Sequence, residues 1–319
     1  MLRTPVCDLL GIDVPIIGAP FGPWEQVELA AAISGAGALG SVGTALRSVD
    51  ELRAQWKRLR ELTDRPFAIN HTVRPFDEAA FVATLEFGPA AISFHLGVPG
   101  DLVARAHDAG ILWIQQVMNR GQALEAVEAG ADVIVAQGGE AGGNSGWVST
   151  MVLVPQVVDV AGDIPVIAAG GIADGRGLAA ALALGAQGAS LGTRFLAAAE
   201  MPIADEWKRR IVAADALDAV KVVNSERVMP PFNRPGGPAE PRALTTSLTT
   251  QLRDHPEWVD PTVMGARLRA ALLAGRGDEY LPFTGQSAGL IDDVLPAAEI
   301  IGRVMAEAEE ALSRARAAP

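Results

Sequence analysis

Glycines follow two of the short apolar runs in this 319-residue sequence, at positions suited to binding an anion. The first is AGGI at residues 169–172, and the second is LGTR at residues 191–194. Glycine lets backbone N–H groups approach an oxyanion closely, and the start of a following helix adds partial positive charge. The two stretches therefore predict a phosphate site, and the alternative is that they are plain tight turns.

A third glycine-rich stretch, residues 137–146, carries a carboxylate and two amides and is called the glycine loop below. Its glycines allow the backbone to approach a flat ligand, and we interpret it as a flexible binding loop. The alternative is a mobile loop whose carboxylate is only solvated. The candidate cofactor-binding residues of the glycine loop are Gln137, Glu140, Gly142 and Gly143, and Asn144 is a candidate for contact with the substrate.

Histidines also follow apolar runs, where they are placed to exchange protons near neutral pH. His71, beside Asn70, ends one run, and His95 ends the next. A single histidine at a strand end is more often structural, and we rank His95 above His71 as a candidate. His107 and His255 are expected on the surface. No His, Asp and Glu cluster has metal-ligand spacing, so no metal site is expected.

The elements that must position these residues alternate between short apolar runs and longer amphipathic stretches, which is typical of βα units around a parallel sheet. The predicted strands cover residues 14–20, 38–43, 66–70, 91–95, 111–117, 131–137, 165–169 and 188–192. The predicted helices between them cover residues 24–34, 48–62, 77–86, 101–109, 120–129, 150–160 and 176–184. Eight such strands in roughly 200 residues predict an α/β fold, the (β/α)₈ TIM barrel, whose active site lies at the carboxyl ends of the strands.

The alternation stops after residue 195, where Pro- and Gly-rich sequence begins. The later predicted helices cover residues 203–214, 248–253, 261–274 and 294–314. We therefore expect residues 1–200 and 290–319 to form the barrel. Residues 201–289 are expected to form a small, mostly helical subdomain, inserted before the last barrel helix, that caps the active-site cleft.

Composition excludes several classes of protein. With 26 Lys+Arg against 38 Asp+Glu, the net charge of −12 argues against nucleic-acid binding. No run approaches the roughly 20 apolar residues that span a bilayer, and Asp8 and Asp13 interrupt any signal peptide, so we expect a cytoplasmic protein without a membrane partner. The one cysteine, Cys7, forms no internal disulfide and is expected to be inert at the amino end of the barrel. The oligomeric state stays open.

Seven segments spread over nearly the whole chain together resemble one family. They are PIIGAPFG, LAAAISGAGALG, AIN, ISFHLGVP, GADVIVAQGGEAGGNSG, PVIAAGGIADGRGLAAALALGAQGASLGTRFL and GQSAGLIDDVLPAAEII. The combination is similar to the nitronate monooxygenases, formerly called 2-nitropropane dioxygenases, which are FMN-binding TIM barrels. The resemblance implies FMN as cofactor, a small-molecule substrate, O₂ as oxidant, and a carbonyl compound plus nitrite as products.

The resemblance also assigns residues to the cofactor. It places the flavin ring against Ala19, Pro20 and Phe21, with Asn70 and Gln116 at its edge. It places the FMN phosphate on Gly170, Gly171, Gly192 and Thr193, in agreement with the glycine stretches above. Gln286 and Gly289 match a late family motif and are expected to line the substrate cleft. Phe21 stands where the family usually has Met.

One position departs from the family pattern. The family's glycine loop normally ends EAGGH, and its histidine is regarded as the base that removes the α-proton of a neutral nitroalkane; here the residue is Asn144. An amide has no useful basicity near neutral pH. A nitronate is already deprotonated, so Asn144 can hydrogen-bond it, and neutral nitroalkanes should be poor substrates unless His95 supplies the base. We predict His95 and Asn144 as the catalytic residues.

Two other functions remain open at this point. The first is an NAD(P)H-dependent FMN enoyl-thioester reductase, a related branch that generally carries the same histidine. The second is a flavin-binding barrel that has lost the family chemistry, or a flavin-free barrel that binds a phosphorylated metabolite. The sequence leaves the physiological substrate and pathway undetermined.

Overall fold

The computed structural model describes residues 2–22, 24–229, 237 and 239–317. The strands in chain order are β1 (Ile16–Gly18), β2 (Gly40–Gly43), β3 (Phe67–Thr72), β4 (Ala91–His95), β5 (Leu112–Val117), β6 (Val133–Gln137), β7 (Gly143–Ser145), β8 (Val166–Ala169), β9 (Gly188–Leu191), β10 (Ala219–Lys221) and β11 (Glu240–Leu244). Eight of them form a parallel sheet in the order β1-β9-β8-β6-β5-β4-β3-β2. The Leu39 N–H donates to the Ile16 carbonyl (2.9 Å) and the Gly18 N–H to the Leu39 carbonyl (2.8 Å), which brings the two edge strands together. The predicted TIM barrel is confirmed.

Helices surround the barrel. They are α1 (Pro5–Leu10), α2 (Val27–Gly35), α3 (Val49–Leu62), α4 (Glu78–Phe87), α5 (Gly100–Asp108), α6 (Arg120–Ala129), α7 (Thr150–Ala161), α8 (Gly175–Ala183), α9 (Thr193–Leu196), α10 (Asp205–Ala213), α11 (Ser247–Asp254), α12 (Pro261–Leu273) and α13 (Ala297–Ala317). The short α1 and α9 were not predicted, because neither is long enough to show a helical period. None of the helices in the described part of the chain is long and apolar enough to cross a membrane.

Helix α3 shows how local sequence sets these elements. The Ser48 side chain accepts from the Glu51 N–H, and the Glu51 carboxylate accepts from the Ser48 N–H at 2.8 Å, which together form a capping box. Leu52, Trp56 and Leu59 are buried on one face of the helix and belong to a cluster that includes strands β2 and β3. The cap and the apolar stripe together fix where the helix starts and which face it buries.

Helix α1 covers the amino ends of the barrel strands. Val6, Cys7 and Leu10 are buried there. They form one cluster with inward-facing strand residues, which are Ile17, Leu39, Ala68, Ala91, Ile114, Val133, Val135, Ile167 and Ala169. The Val6 N–H donates to the Gln187 side chain (3.0 Å), which ties α1 to the segment before β9. The amino end of the barrel is therefore an apolar plug.

Residues after β9 contain strands as well as helices. β10 and β11 pair antiparallel, and β11 also pairs with β7, which comes from the glycine loop. A separate apolar cluster lies within residues 222–281, formed by Val222, Val228, Ala243, Leu248, Leu252, Val259, Leu268 and Leu281. The expected division into a barrel and an inserted cap stays a prediction. Three residues of the glycine loop belong to this sheet, which sequence reasoning did not foresee, and the flexibility of the loop stays a prediction.

Candidate active site

One cavity lies at the carboxyl ends of the barrel strands and gathers most of the predicted site. The predicted residues that line it are Ala19, Pro20, Phe21, Asn70, His95, Gln116, Gln137, Gly142, Gly143, Asn144, Gly170, Gly171, Gly192 and Thr193. These residues come from strand ends that are far apart in sequence, and only the closed barrel brings them together. Glu140, Gln286 and Gly289 are not among the lining residues.

The two predicted phosphate turns lie side by side in this cavity. Gly170 and Gly171 have φ values of 98° and 74°, a left-handed conformation that other residues rarely adopt. A Cβ on Gly192 would meet only the Cβ of Ala19, at 3.7 Å, so the protein leaves open space there. The Thr193 hydroxyl accepts from the Gly285 N–H (2.9 Å), and its own proton is free to donate to an anion.

Glu140 fixes the glycine loop from outside the cavity. Its two carboxylate oxygens accept from the N–H of Thr150, at 3.0 and 2.9 Å, and one also accepts from the Thr150 hydroxyl. Thr150 begins α7, so the carboxylate meets the partial positive charge of a helix amino end. Glu140 is thus engaged with protein groups, and the alternative of a solvated Glu140 on a mobile loop does not hold.

The late motif at residues 285–289 supports the glycine loop from the opposite side. The Gln286 N–H donates to the Glu140 carbonyl at 2.9 Å. A Cβ on Gly142 would lie 2.7 Å from the Gly285 nitrogen, so the two backbones meet where only glycine fits. Gly289 packs on Ala216 in the same way, and a Cβ there would lie 2.7 Å from the Ala216 nitrogen.

Two cations that sequence reasoning missed also hold the glycine loop. Arg242 of β11 donates to the Gly139 carbonyl from Nε (3.0 Å) and from Nη2 (2.9 Å). Lys221 of β10 donates to the carbonyls of Ser145 (2.7 Å) and Gly146 (2.8 Å). Both belong to short strands in Pro- and Gly-rich sequence, where only the basic residues within AVK and EPRAL could have drawn attention.

His95 presents one free ring nitrogen. Its Nδ1 lies 3.1 Å from the His71 carbonyl, which can only accept, so Nδ1 carries the proton and Nε2 keeps a lone pair. Burial lowers the pKa of His95 to about 4, against the opposing effect of this hydrogen bond. The imidazole is therefore neutral near pH 7, able to accept a hydrogen bond but weak as a base.

His71 has partners for both ring nitrogens. Nε2 lies 2.9 Å from the Thr84 hydroxyl, and Nδ1 lies 3.4 Å from the Thr44 hydroxyl. The ring stacks on Phe94, with centroids 5.5 Å apart. Burial lowers the pKa of His71 to about 3, and Asp77 opposes the shift. Although it borders the cavity, this environment is that of a structural residue, as the ranking of the two histidines expects.

Neutral amides supply the remaining polar groups of the cavity. Gln116 donates to the Gln137 side chain (3.0 Å), and Asn70 donates to the Ser93 hydroxyl (2.9 Å). The side-chain oxygen of Asn144 is buried without a hydrogen-bond partner among the described residues. An unpaired buried amide costs free energy, which a ligand that donates to it would recover.

An apolar wall completes the cavity, and sequence reasoning did not foresee it. Its large side chains are Trp24, Leu46, Met229, Leu272 and Phe283. Leu46 has a φ of 62°, a left-handed conformation that is strained for a bulky residue. The Gln26 side chain links two segments beside this wall, because it accepts from the Phe21 N–H (3.1 Å) and donates to the Ser41 carbonyl (2.7 Å). Apolar residues in such segments cannot be told from core residues by sequence pattern.

No group of His, Cys, Asp and Glu residues in the described ranges is arranged to hold a metal ion. The cavity therefore offers backbone N–H groups, amides, one free imidazole nitrogen and an apolar wall. That set of groups suits a flat organic ligand that ends in a phosphate.

Comparisons with known proteins agree with this geometry. The family model for nitronate monooxygenase matches residues 3–84 and 74–307. A nitronate monooxygenase from Paraburkholderia phytofirmans is 33% identical, over 98% of this chain and 97% of its own length. The (3aS,4S,5R,7aS)-5-hydroxy-7a-methyl-1-oxo-octahydro-1H-indene-4-carboxyl-CoA dehydrogenase of Mycobacterium tuberculosis is 33% identical, over 99% of each chain.

A solved structure shows the same architecture. FabK from Thermotoga maritima superposes with a TM-score of 0.88 at 34% sequence identity, covering 99% of each chain. The family match and these relatives span nearly the whole chain and include the barrel and the cavity described above. The chain is an oxidoreductase and belongs to the nitronate monooxygenase family.

Proposed function

We propose that the protein is an FMN-dependent oxidoreductase that oxidises alkyl nitronates, or a closely related activated substrate, with O₂ to a carbonyl compound and nitrite. The observation that carries the proposal is the single cavity in which the phosphate turns, the amides and His95 meet. The name of the P. phytofirmans relative supports the substrate class.

The residues present fit FMN. Gly192 would leave the backbone open to the phosphate beside the left-handed turn of Gly170 and Gly171, and the hydroxyl of Thr193 would donate to it. The partnerless amide oxygen of Asn144 marks a place where a bound group is expected. When bound, FMN would supply the two-electron acceptor that the oxidation needs.

Asn144 and His95 would have different roles beside the substrate. The Asn144 amide can donate to a nitronate oxygen, whereas the lone pair of His95 Nε2 can only accept, and a nitronate has no N–H or O–H to donate. Because the pKa of His95 is lowered to about 4, it gains little by taking a proton from carbon. A substrate that arrives deprotonated needs no such step, so these two residues favour a nitronate over its neutral nitroalkane.

The test is anaerobic reduction of the FMN-loaded protein, followed by flavin absorbance. Preformed alkyl nitronates should bleach the flavin quickly, matching neutral nitroalkanes slowly, and NADPH little. On readmission of O₂, turnover should release nitrite. A protein bleached by NADPH but by no nitronate would overturn the proposal.

A second candidate, an NAD(P)H-dependent flavin reductase of enoyl thioesters, has a specific observation in its favour. The apolar wall includes Leu272 and Phe283, which suit an acyl chain, and the M. tuberculosis relative is named for a CoA ester. Rapid bleaching by NADPH and reoxidation by an enoyl-thioester would favour this candidate. Bound flavin that none of these reagents reduces would instead indicate a barrel that has lost the family chemistry.

A further inference from the structure

The glycine loop is held at its far end by one ammonium group. Lys221 Nζ lies within hydrogen-bond distance of four oxygens: the Ser145 carbonyl and hydroxyl (both 2.7 Å), the Gly146 carbonyl (2.8 Å) and the Glu240 carbonyl (3.0 Å). It also lies 5.3 Å from the centre of the Trp147 ring. Three consecutive residues after Asn144 therefore contact the same side chain.

We propose that Lys221 is the positioning residue that holds Asn144 in the active-site cavity. The inference rests on the role given to Asn144 in the proposed function. Asn144 is the middle residue of β7, its neighbour Ser145 is clamped by Lys221, and its strand partner is Pro241. Proline has no N–H to donate to the strand ladder. The hydrogen bonds from Lys221 therefore replace part of the stabilisation that a longer ladder would give to this strand.

The chemistry of the amine explains how one lysine can bind several oxygens of the loop. An ammonium carries three N–H donors for its four oxygen neighbours, and charge-assisted hydrogen bonds are the stronger kind. A neutral amine has two donors and no charge. Glycines flank Asn144 in the loop and lose much backbone entropy on ordering, so the loop depends on such contacts.

Burial and the charges around Lys221 set how the clamp depends on pH. The pKa of Lys221 is lowered to about 7, mainly by burial and next by Arg242, while Glu240 and Glu140 oppose the shift. A lysine released from the loop returns to its ordinary pKa near 10.5, so opening the loop takes up a proton between these two values. The loop should therefore open more readily as pH falls to about 7 and below, and be held more firmly as pH rises above it.

The test compares Lys221→Met and Lys221→Arg with Lys208→Met in the FMN-loaded protein. Lys208 is a matched control: it is buried, burial lowers its pKa, and it donates to a single carbonyl, that of Ala199 at 3.2 Å. Hydrogen exchange of the amides at residues 139–149, followed by mass spectrometry, reports the loop without any substrate. Steady-state kinetics with a preformed nitronate report Asn144.

Lys221→Met should speed hydrogen exchange in the loop about tenfold and lower kcat/KM about tenfold. Both changes correspond to the loss of one charge-assisted hydrogen bond. Lys221→Arg is charged at every pH used. It should restore part of the loop protection and part of kcat/KM, and it should remove the change in loop protection near pH 7. Lys208→Met should match the wild type. If Lys221→Met does not fold, a gain in wild-type loop protection from pH 6 to 8, absent in Lys221→Arg, supports the proposal.

Loop exchange in Lys221→Met equal to that in Lys208→Met would overturn the proposal, whether or not nitronates are substrates. So would wild-type protection that does not change through pH 7. Altered loop exchange in Lys221→Met, together with a complete lack of nitronate turnover in the wild type, would instead support the role of Lys221 and overturn the proposed function.

Discussion

The two ends of the barrel are built from the same eight strands but carry opposite kinds of residue. At the amino end, Val6, Cys7 and Leu10 of α1 are at most 2% exposed and pack on inward-facing apolar side chains. At the carboxyl end, the cavity is bordered by left-handed glycines and by a buried amide oxygen without a partner among the described residues. At the amino end the apolar side chains pack on one another, whereas at the carboxyl end polar groups remain available to a ligand.

Backbone strain follows the same division. Of the non-glycine residues in the described ranges, Leu46, Leu96 and Asn224 have positive φ, and Leu46 borders the cavity while Leu96 directly follows His95. A bulky residue in this conformation costs on the order of 1–3 kcal/mol and persists only where the surroundings hold it. The apolar plug supplies stability that lets the carboxyl end tolerate such strain. Substitutions at the two ends should therefore separate stability from function.

Gly192→Asp should have the largest effect, complete loss of FMN binding with the barrel intact. A Cβ at this position meets only ordinary contact with Ala19, so the fold tolerates the side chain, but a carboxylate there repels the FMN phosphate and fills its space. Flavin content and far-UV circular dichroism measure the two effects. Gly302→Asp, on an open face of α13, is the charge control and should keep its flavin. Full flavin occupancy in Gly192→Asp would place the phosphate elsewhere.

Leu10→Ala tests the opposite end. It should reduce the free energy of unfolding by about 3 kcal/mol, the usual cost of removing a buried leucine side chain. The FMN affinity and kcat/KM should not change, since Leu10 lies in the plug. Urea unfolding gives the stability, and Leu9→Ala, on the 39%-exposed neighbour, should have little effect. A large change in FMN affinity in a folded Leu10→Ala protein would contradict the separation of the two ends.

His95→Ala should lower turnover of a neutral nitroalkane, whose α-proton His95 would accept, roughly 10²-fold, the lower end of general acid–base effects. The exposed His107 offers the control, His107→Ala, with turnover unchanged. Unchanged turnover and flavin content in His95→Ala would return His95 to a structural role.

The lowered pKa of His95 also predicts a pH effect on stability. Because that pKa is about 4 in the folded protein and 6.5 in the unfolded chain, the unfolded chain binds more protons between these values. The wild type should lose stability as pH falls from 6.5 towards 4, and His95→Ala should lose less. Urea unfolding at a series of pH values measures this difference, and equal losses would contradict the assigned pKa.

Asn144→His should have the smallest effect, about a tenfold gain in turnover of a neutral nitroalkane, near the low end of base catalysis. The gain should rise with pH as the imidazole loses its proton, with a midpoint at or below 6.5, because the ammonium of Lys221 contacts the next residue and favours the neutral ring. Nitronate turnover should change little. Equal wild-type activity on the two forms, measured before they interconvert, would show that another base already acts.

The barrel and the position of most candidate site residues could be predicted from the amino-acid sequence. Alternating apolar runs and amphipathic stretches specify strand and helix through contacts a few residues apart, and the predicted bounds lie within a few residues of those observed. Glycine turns and His95 could be placed because, in this fold, a residue that ends a strand lies at the functional face. Those signals are local in the chain and need no knowledge of distant partners.

The contacts that hold this site in place could not be predicted from the sequence, because they form only in the folded protein. Lys221 contacts Ser145 across 76 positions of sequence, and Arg242 contacts Gly139 across 103. Glu140 was expected at the cofactor, yet its carboxylate binds Thr150. A charged group in the sequence shows that it needs a partner when buried but not which one, because hydrogen bonds act over about 3 Å, and folding alone sets which distant atoms come that close.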